Sequence, residues 1–167
     1  MAALIYNSPI GELLITAYEG HIRGVNFTFE GAPGFVPSAD VLLMRTSNAS
    51  KEDAAVLQQC ADELKSYFDG RLKKFTVPLK TEGTAFRQRV WEALLTIPYG
   101  ETISYKELAI KIGNPAAIRA VGGANHHNPV NIIIPCHRVI GTGGTLVGYG
   151  GGLGNKETLL ELEKQNM

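Results

Sequence analysis

At 167 residues with 44% hydrophobic content, the chain is long enough to bury a real core and too apolar to be a disordered segment. Its formal net charge is zero, which excludes a strongly basic, electrostatically driven nucleic-acid binder and a strongly acidic tail. Two cysteines, Cys60 and Cys136, with no Cys-x-x-Cys spacing, exclude a disulfide framework and a four-cysteine zinc site and fit a reducing setting. No basic start followed by an apolar run opens the chain, and no stretch approaches the ~18 apolar residues of a membrane helix, so the expectation is a cytoplasmic, unanchored protein.

From Leu4 to Phe29 the pattern alternates apolar runs with turns: Leu4 to Tyr6, the turn Ser8-Pro9-Ile10-Gly11, Leu13 to Tyr18, the turn Glu19-Gly20, and Ile22 to Phe29. This predicts a β-meander. Gly31 to Pro37 reads as a loop. From Lys51 to Phe68, Ala54, Leu57, Ala61, Leu64 and Phe68 recur every three to four residues and predict a helix with one buried face. Cys60 borders that face and reads as inert packing. Asp69-Gly70 closes the helix, and Phe75 to Leu79 reads as one more short strand.

Thr84 is a fitting N-cap for a helix from Ala85 to Ile97, with Phe86, Val90, Leu94 and Ile97 on one side and Trp91 as a core residue. Pro98-Tyr99-Gly100 ends it. Ser104 then caps a helix from Tyr105 to Ile112, Gly113 stops it, and Asn114-Pro115 starts another running to about Asn125. Two short helices joined by a tight glycine-containing turn suggest a helix-turn-helix. The glycine-dense stretch Gly141 to Gly154 reads as a loop, and a last helix runs from about Asn155 to the C-terminus. Glu163 is four residues from Leu159 and three from Leu160, so it borders that helix's buried stripe and needs a partner. The division expected is 1–80 for an N-terminal α/β domain and 81–167 for a largely helical one. The residues before 79 carry a slight acidic excess and those after it a slight basic one.

The chemistry points to Asn131-Ile-Ile-Ile-Pro-Cys-His-Arg-Val-Ile-Gly141. Ile132, Ile133 and Ile134 are expected to form a strand or an extended buried segment that Pro135 interrupts, leaving Cys136 on rigid, irregular backbone. His137 supplies a base and Arg138 a positive charge, the two influences that convert a thiol near ~8.5 into a thiolate. The adjacent loop histidines His126 and His127 have no cysteine or carboxylate at ligand spacing, so no metal site and no cofactor is expected.

This block resembles the Pro-Cys-His-Arg-Val signature of the O6-alkylguanine-DNA alkyltransferases. The similarity continues in order through Gly100-Glu-Thr-Ile-Ser-Tyr105, Gly113-Asn-Pro115, Arg119-Ala-Val-Gly-Gly-Ala124, Asn128-Pro-Val130 and Tyr149-Gly-Gly-Gly-Leu153, covering residues 84 to 163. The fold it implies is α/β, of the α+β kind: an N-terminal ribonuclease-H-like meander plus helix, then a mostly helical domain with a helix-turn-helix and an active-site loop. The activity it implies is direct DNA repair, an irreversible transfer of a methyl or other alkyl group from O6 of guanine, or O4 of thymine, to Cys136, once per molecule. His137 would be the base, acting through a bridging water, Glu163 its orienter, Asn128 the brace of the cysteine turn, and Tyr105 the hydrogen-bond donor to the departing guanine. Arg119 would fill the gap left by a flipped nucleotide, with Ala117, Ala120, Gly122 and Gly123 keeping the helix surface small against the minor groove. Val139, Tyr149 and Gly150 would line the guanine pocket. Gly150 departs from relatives that carry serine there, and Ile118 is bulkier than the alanine usual at its place. The implied partner is double-stranded DNA containing O6-alkylguanine, met by a monomer. Two other classes stay open: a non-catalytic damage sensor, which would lack the acceptor cysteine, and a cysteine hydrolase or redox enzyme using the same Cys-His pair.

Overall fold

The computed structural model describes residues 1–33 and 49–167. The chain divides into two compact units, Met1–Thr81 and Glu82–Met167. No helix among the described residues is long and apolar enough to cross a membrane.

In the first unit the meander is present as β1 (Ala2–Ser8), β2 (Gly11–Tyr18) and β3 (His21–Phe27), an antiparallel sheet in the order β1-β2-β3. Its two turns fall where Gly11 and Gly20 supply positive φ of 119° and 74°. The central strand is buried on both faces from Leu13 to Ala17. Helix α1 (Lys51–Phe68) packs against the sheet through Val56, Leu57, Cys60, Leu64 and Tyr67, a stripe that shares Leu57 and Leu64 with the expected one but is rotated toward Cys60, leaving Ala54 exposed and Ala61 and Phe68 half-buried. The Ser50 hydroxyl caps α1 by accepting from the Asp53 amide at 3.0 Å, and Asp53 in turn accepts from the Gly20 amide at 2.8 Å, tying the helix start to the β2–β3 turn. The strand expected over Phe75 to Leu79 is reduced to a single parallel bridge between Leu79 and Ile22. The Glu63 carboxylate accepts the amides of Thr76 at 2.7 Å and Val77 at 3.2 Å, and Pro78 has no amide to donate, so little ladder is left to form. The loop expected over Gly31 to Pro37 lies outside the described residues beyond Pro33.

In the second unit α2 (Ala85–Leu94) is capped by Thr84, whose hydroxyl accepts from the Arg87 amide at 3.2 Å. It stops three residues short of the expected Ile97. The amides of Thr96 and Ile97 turn back to the carbonyls of Ala93 and Leu94, and Pro98 disfavours helical backbone at the residue before it. A two-residue strand β4 (Ile103–Ser104) pairs in parallel with β5 (Val139–Ile140). Ser104 also caps α3 (Tyr105–Lys111) through the Glu107 amide at 3.0 Å, so one residue ends a strand and starts a helix. Gly113, at φ 79°, makes the turn. The next helix, α4 (Ile118–His126), starts later than the Asn114-Pro115 signal suggests: the Ala117 amide donates to the Asn114 carbonyl at 3.0 Å, so the proline sits in a turn ahead of the helix. Trp91 is core, 3% exposed, with its indole N–H donating to the Ala124 carbonyl at 2.9 Å and thereby fixing α4 against α2. The glycine-dense loop contains one turn of 3-10 helix, Thr142–Gly144, and α5 (Leu153–Gln165) begins two residues before the expected Asn155.

Candidate active site

Between α4 and β5 the three isoleucines do not form a strand. Residues 131–134 make a buried turn in which Ile132 takes φ 73°, a left-handed value that a β-branched residue adopts only under constraint. The constraint comes from Asn128, whose side-chain amide donates to the Ile134 carbonyl at 2.8 Å while its Oδ1 accepts the Val130 amide at 3.0 Å. Asn125 adds a third tie, from Nδ2 to the Cys136 carbonyl at 3.3 Å. Short-range polar bonds from Asn128 and Asn125 satisfy the backbone groups of this segment locally and so outcompete the β propensity of the isoleucines. Pro135 then leads into one turn of 3-10 helix, Cys136–Arg138, which carries three functional-type side chains in a row.

Within that turn His137 is fully buried, and its Nε2 lies 2.6 Å from Glu163 Oε2. Its Nδ1 is buried too and meets no hydrogen-bond partner among the described residues. With Nε2–H donating to the carboxylate, Nδ1 is the bare, basic nitrogen. Glu163, expected at the edge of the buried stripe of α5, is wholly inside it. Arg138 forks onto the same carboxylate, Nε to Oε1 at 2.8 Å and Nη2 to Oε2 at 3.1 Å, and the Gly100 amide adds 3.1 Å to Oε1. These partners hold the Glu163 carboxyl well below the usual carboxylate range against the opposing effect of burial.

The expectation that His137 and Arg138 together ionise the thiol needs correction. Cys136 is 2% exposed, and burial pushes its pKa up to about 11 despite contributions from the Asn128 side chain, the Lys156 charge and the nearby backbone N–H groups that favour the thiolate. Arg138 spends its charge on Glu163. The thiol is therefore protonated at rest, and it donates weakly to Asn131 Oδ1 at 3.9 Å. Burial also pushes His137 down, which leaves the ring neutral and able to accept a proton.

Tyr105, at the start of α3, points its hydroxyl at the carbonyls of Val147 and Gly148, 3.2 and 3.3 Å away. Lys156 was not anticipated. It is fully buried, donates from Nζ to the Val139 carbonyl and, at 2.9 Å, to the Val147 carbonyl, and lies 5.9 Å from the Tyr105 ring centroid. Burial lowers its pKa to about 8. The signal was present in the spacing, since 156, 159, 160 and 163 share one helix face, but a lysine on such a face is ordinarily taken to snorkel out. Asn125 and Asn131 carried no signal beyond being polar within an apolar stretch.

Val139 is fully buried, Tyr149 is 8% exposed and Gly150 half-buried, all in the segment that follows the cysteine turn. Arg119, Ala120 and Gly123 lie exposed on α4, with Ala117 and Gly122 half-buried. A Cβ at Gly122 would meet the Tyr105 ring at 4.0 Å, an ordinary van der Waals contact. His127 turns its Nδ1–H onto the Gly123 carbonyl at 2.8 Å, and its ring stands edge-on to His126 at 5.3 Å. Cys60, in the first unit, is 0% exposed, and burial raises it to about 12.

Comparison with known proteins places both units. Residues 85–165 match the 6-O-methylguanine DNA methyltransferase DNA-binding domain, and residues 2–81 match the ribonuclease-like domain of the same proteins. The chain belongs to the 6-O-methylguanine DNA methyltransferase family. A methylated-DNA–protein-cysteine methyltransferase from Methanosarcina barkeri is 45% identical over 163 residues, 98% of this chain and 97% of that protein. One from Mycobacterium tuberculosis is 60% identical over 112 residues, 67% of this chain and 68% of that protein. The crystal structure of Mycobacterium tuberculosis OGT in complex with DNA superposes with a TM-score of 0.82 at 43% identity, covering 99% of this chain and 94% of that one. The α+β architecture, a small N-terminal sheet followed by a helical methyltransferase domain, is the one this family implies.

Proposed function

We propose that this methyltransferase repairs DNA directly, taking the alkyl group of O6-alkylguanine onto Cys136. The observation that carries the assignment is the buried array Cys136, His137 and Glu163, in which a carboxylate fixes an imidazole whose other nitrogen is bare, on the same turn as a buried thiol. That is the nucleophile, base and orienter arrangement, in a chain whose family is built for alkyl transfer.

In the reaction, a new bond forms between Cys136 Sγ and the alkyl carbon as the bond from that carbon to guanine O6 breaks, its electron pair leaving with the base. The thiol hydrogen passes through a bridging water to His137 Nδ1 as sulfur attacks. The departing guanine, its developing negative charge met by a hydrogen bond from the Tyr105 phenol, takes up one proton at N1 from water, balanced by the one that sulfur gives to His137 and that His137 then returns to solvent. To donate to guanine, the Tyr105 hydroxyl must leave the Val147 and Gly148 carbonyls, so the loop that carries them shifts when a base enters. Asn128 holds the cysteine turn, and Val139, Tyr149 and Gly150 line the base pocket, where the Gly150 backbone N–H replaces a serine hydroxyl as donor. Arg119 occupies the space of the extruded nucleotide, and the small residues Ala117, Ala120, Gly122 and Gly123 let α4 lie close to the minor groove. The thioether product does not undergo thiol exchange, so each molecule acts once. The protein works as a monomer in the cytoplasm, where both free cysteines stay reduced.

Incubation with a duplex containing O6-methylguanine is expected to add one methyl, about 14 mass units, to the peptide holding Cys136, in a one-to-one ratio with protein. Sustained turnover, or no gain on that peptide, would exclude the assignment and favour a cysteine hydrolase.

A further inference from the structure

A carboxylate 2.6 Å from an imidazole ordinarily draws a proton onto the ring, and an imidazolium cannot take the proton of a thiol. His137 sits in that position, where its burial is the first influence against the charged ring and a cation paired with Glu163 is the second. The charged and titratable groups around it are Glu163 and Lys156 from α5, Cys136 and Arg138 from its own turn, and the Tyr149 phenol from the following loop, with Tyr99 facing Arg138 and Glu163. Of the two cations, Arg138 alone meets the carboxylate. It does so as a fork, with its remaining nitrogen donating to the Ile97 carbonyl at 2.7 Å and its guanidinium 5.7 Å from the Tyr99 ring centroid. Such a planar, fully engaged guanidinium has one orientation, which fixes that of the carboxylate and of the ring beyond it.

We infer that Arg138 is a positioning residue for alkyl transfer: by pairing with Glu163 it cancels the carboxylate charge, so that His137 stays a neutral base with Nε2–H locked and Nδ1 bare. It does not activate the thiol directly. The inference rests on His137 being the base, as proposed above. In chemical terms Glu163 supplies direction without supplying basicity, and Arg138 makes that separation possible.

The test compares Arg138→Met and Arg138→Lys with the unaltered protein in two measurements: the pH dependence of single-turnover methyl transfer from an O6-methylguanine duplex, and the ring nitrogen NMR signals of His137. Removing the cation leaves Glu163 unopposed, so the proton is held to higher pH. For Arg138→Met the acid limb is expected to move up by about one pH unit or more, with the rate recovering on the alkaline side, and His137 is expected to read as imidazolium at neutral pH. Arg138→Lys keeps the charge, and its limb is expected to stay near that of the unaltered protein at a reduced rate. A uniform loss of rate at every pH with the limb unmoved, or a neutral His137 in Arg138→Met, overturns the inference. If Arg138→Met does not fold, Arg138→Gln, which keeps hydrogen-bond donors to the carboxylate without the charge, decides: an imidazolium His137 at neutral pH is expected, and a neutral ring there defeats the inference. The NMR readout needs no substrate, so absence of transfer by the unaltered protein would defeat the functional assignment and leave this one still decided by the spectra.

Discussion

Cys60 and Cys136 are both free, both buried and both pushed far above the usual thiol range, to about 12 and about 11, yet they sit in unlike surroundings. Cys60 lies on α1, a regular helix, among apolar side chains including Val56, Leu57 and Leu64, and the charge that reaches it, from Glu63, opposes ionisation. Cys136 lies on an irregular turn held by Asn125 and Asn128, beside an imidazole backed by a carboxylate, with a buried lysine near by. Desolvation is thus common to both and selects neither. A nucleophile is marked by groups able to receive its proton and to favour its anion at the moment of reaction.

The largest expected effect breaks the comparison outright. Cys136→Ser should lower methyl uptake from duplex DNA by more than about a thousandfold, whereas Cys60→Ser should leave uptake intact, as read by peptide mass after stoichiometric incubation. Loss of uptake in the Cys60 variant alone would mean the two sites were assigned the wrong way round. Next in size is His137→Gln, which removes the proton acceptor but not the lesion pocket. Single-turnover kinetics should show a loss of about 10²- to 10⁴-fold with DNA affinity little changed. Tyr105→Phe should cost about a hundredfold, since one donor to the leaving group is removed, and that loss should shrink for alkylated bases that leave more easily.

The smallest effect sharpens the likeness of the two thiols. A group whose pKa is raised on folding adds stability that is fully present below its unfolded value, here ~8.5, and is lost as pH rises toward the folded value. Between pH 8 and pH 10 each buried thiol should therefore cost the fold about 1–2 kcal/mol, because the unfolded chain ionises and the native one does not. Urea denaturation of Cys60→Ala at these two pH values should show a shallower decline than the unaltered protein. An identical decline would mean that Cys60 ionises as readily in the native state as in the unfolded one.

Much of this architecture was legible because it rests on local chemistry. Apolar runs separated by the turns at Gly11 and Gly20 specify a meander, and Ser104, Thr84 and Gly113 cap or stop helices by bonding within three or four residues. Helix α1 spans the expected residues Lys51–Phe68, though its buried stripe is rotated from Ala54, Ala61 and Phe68 toward Val56, Cys60 and Tyr67. Errors arose where a distant partner competed for the same groups. Glu63 took the amides that would have made a strand at Thr76 and Val77, and Asn128 bent the isoleucine run into a turn with Ile132 left-handed.

The same division runs through the site. Residue order alone disclosed the Cys136-His137 pair, the stripe that draws Glu163 inward and the small-residue surface around Arg119, because adjacency and helical period are properties of the chain. Folding settled where each charge goes. Arg138 neighbours the thiol in sequence but pairs with a carboxylate 25 positions away, Lys156 is drawn fully inside, and the thiol is protonated at rest. Electrostatic energy depends on through-space distance and on the water excluded around a group, and neither is written in the order of residues.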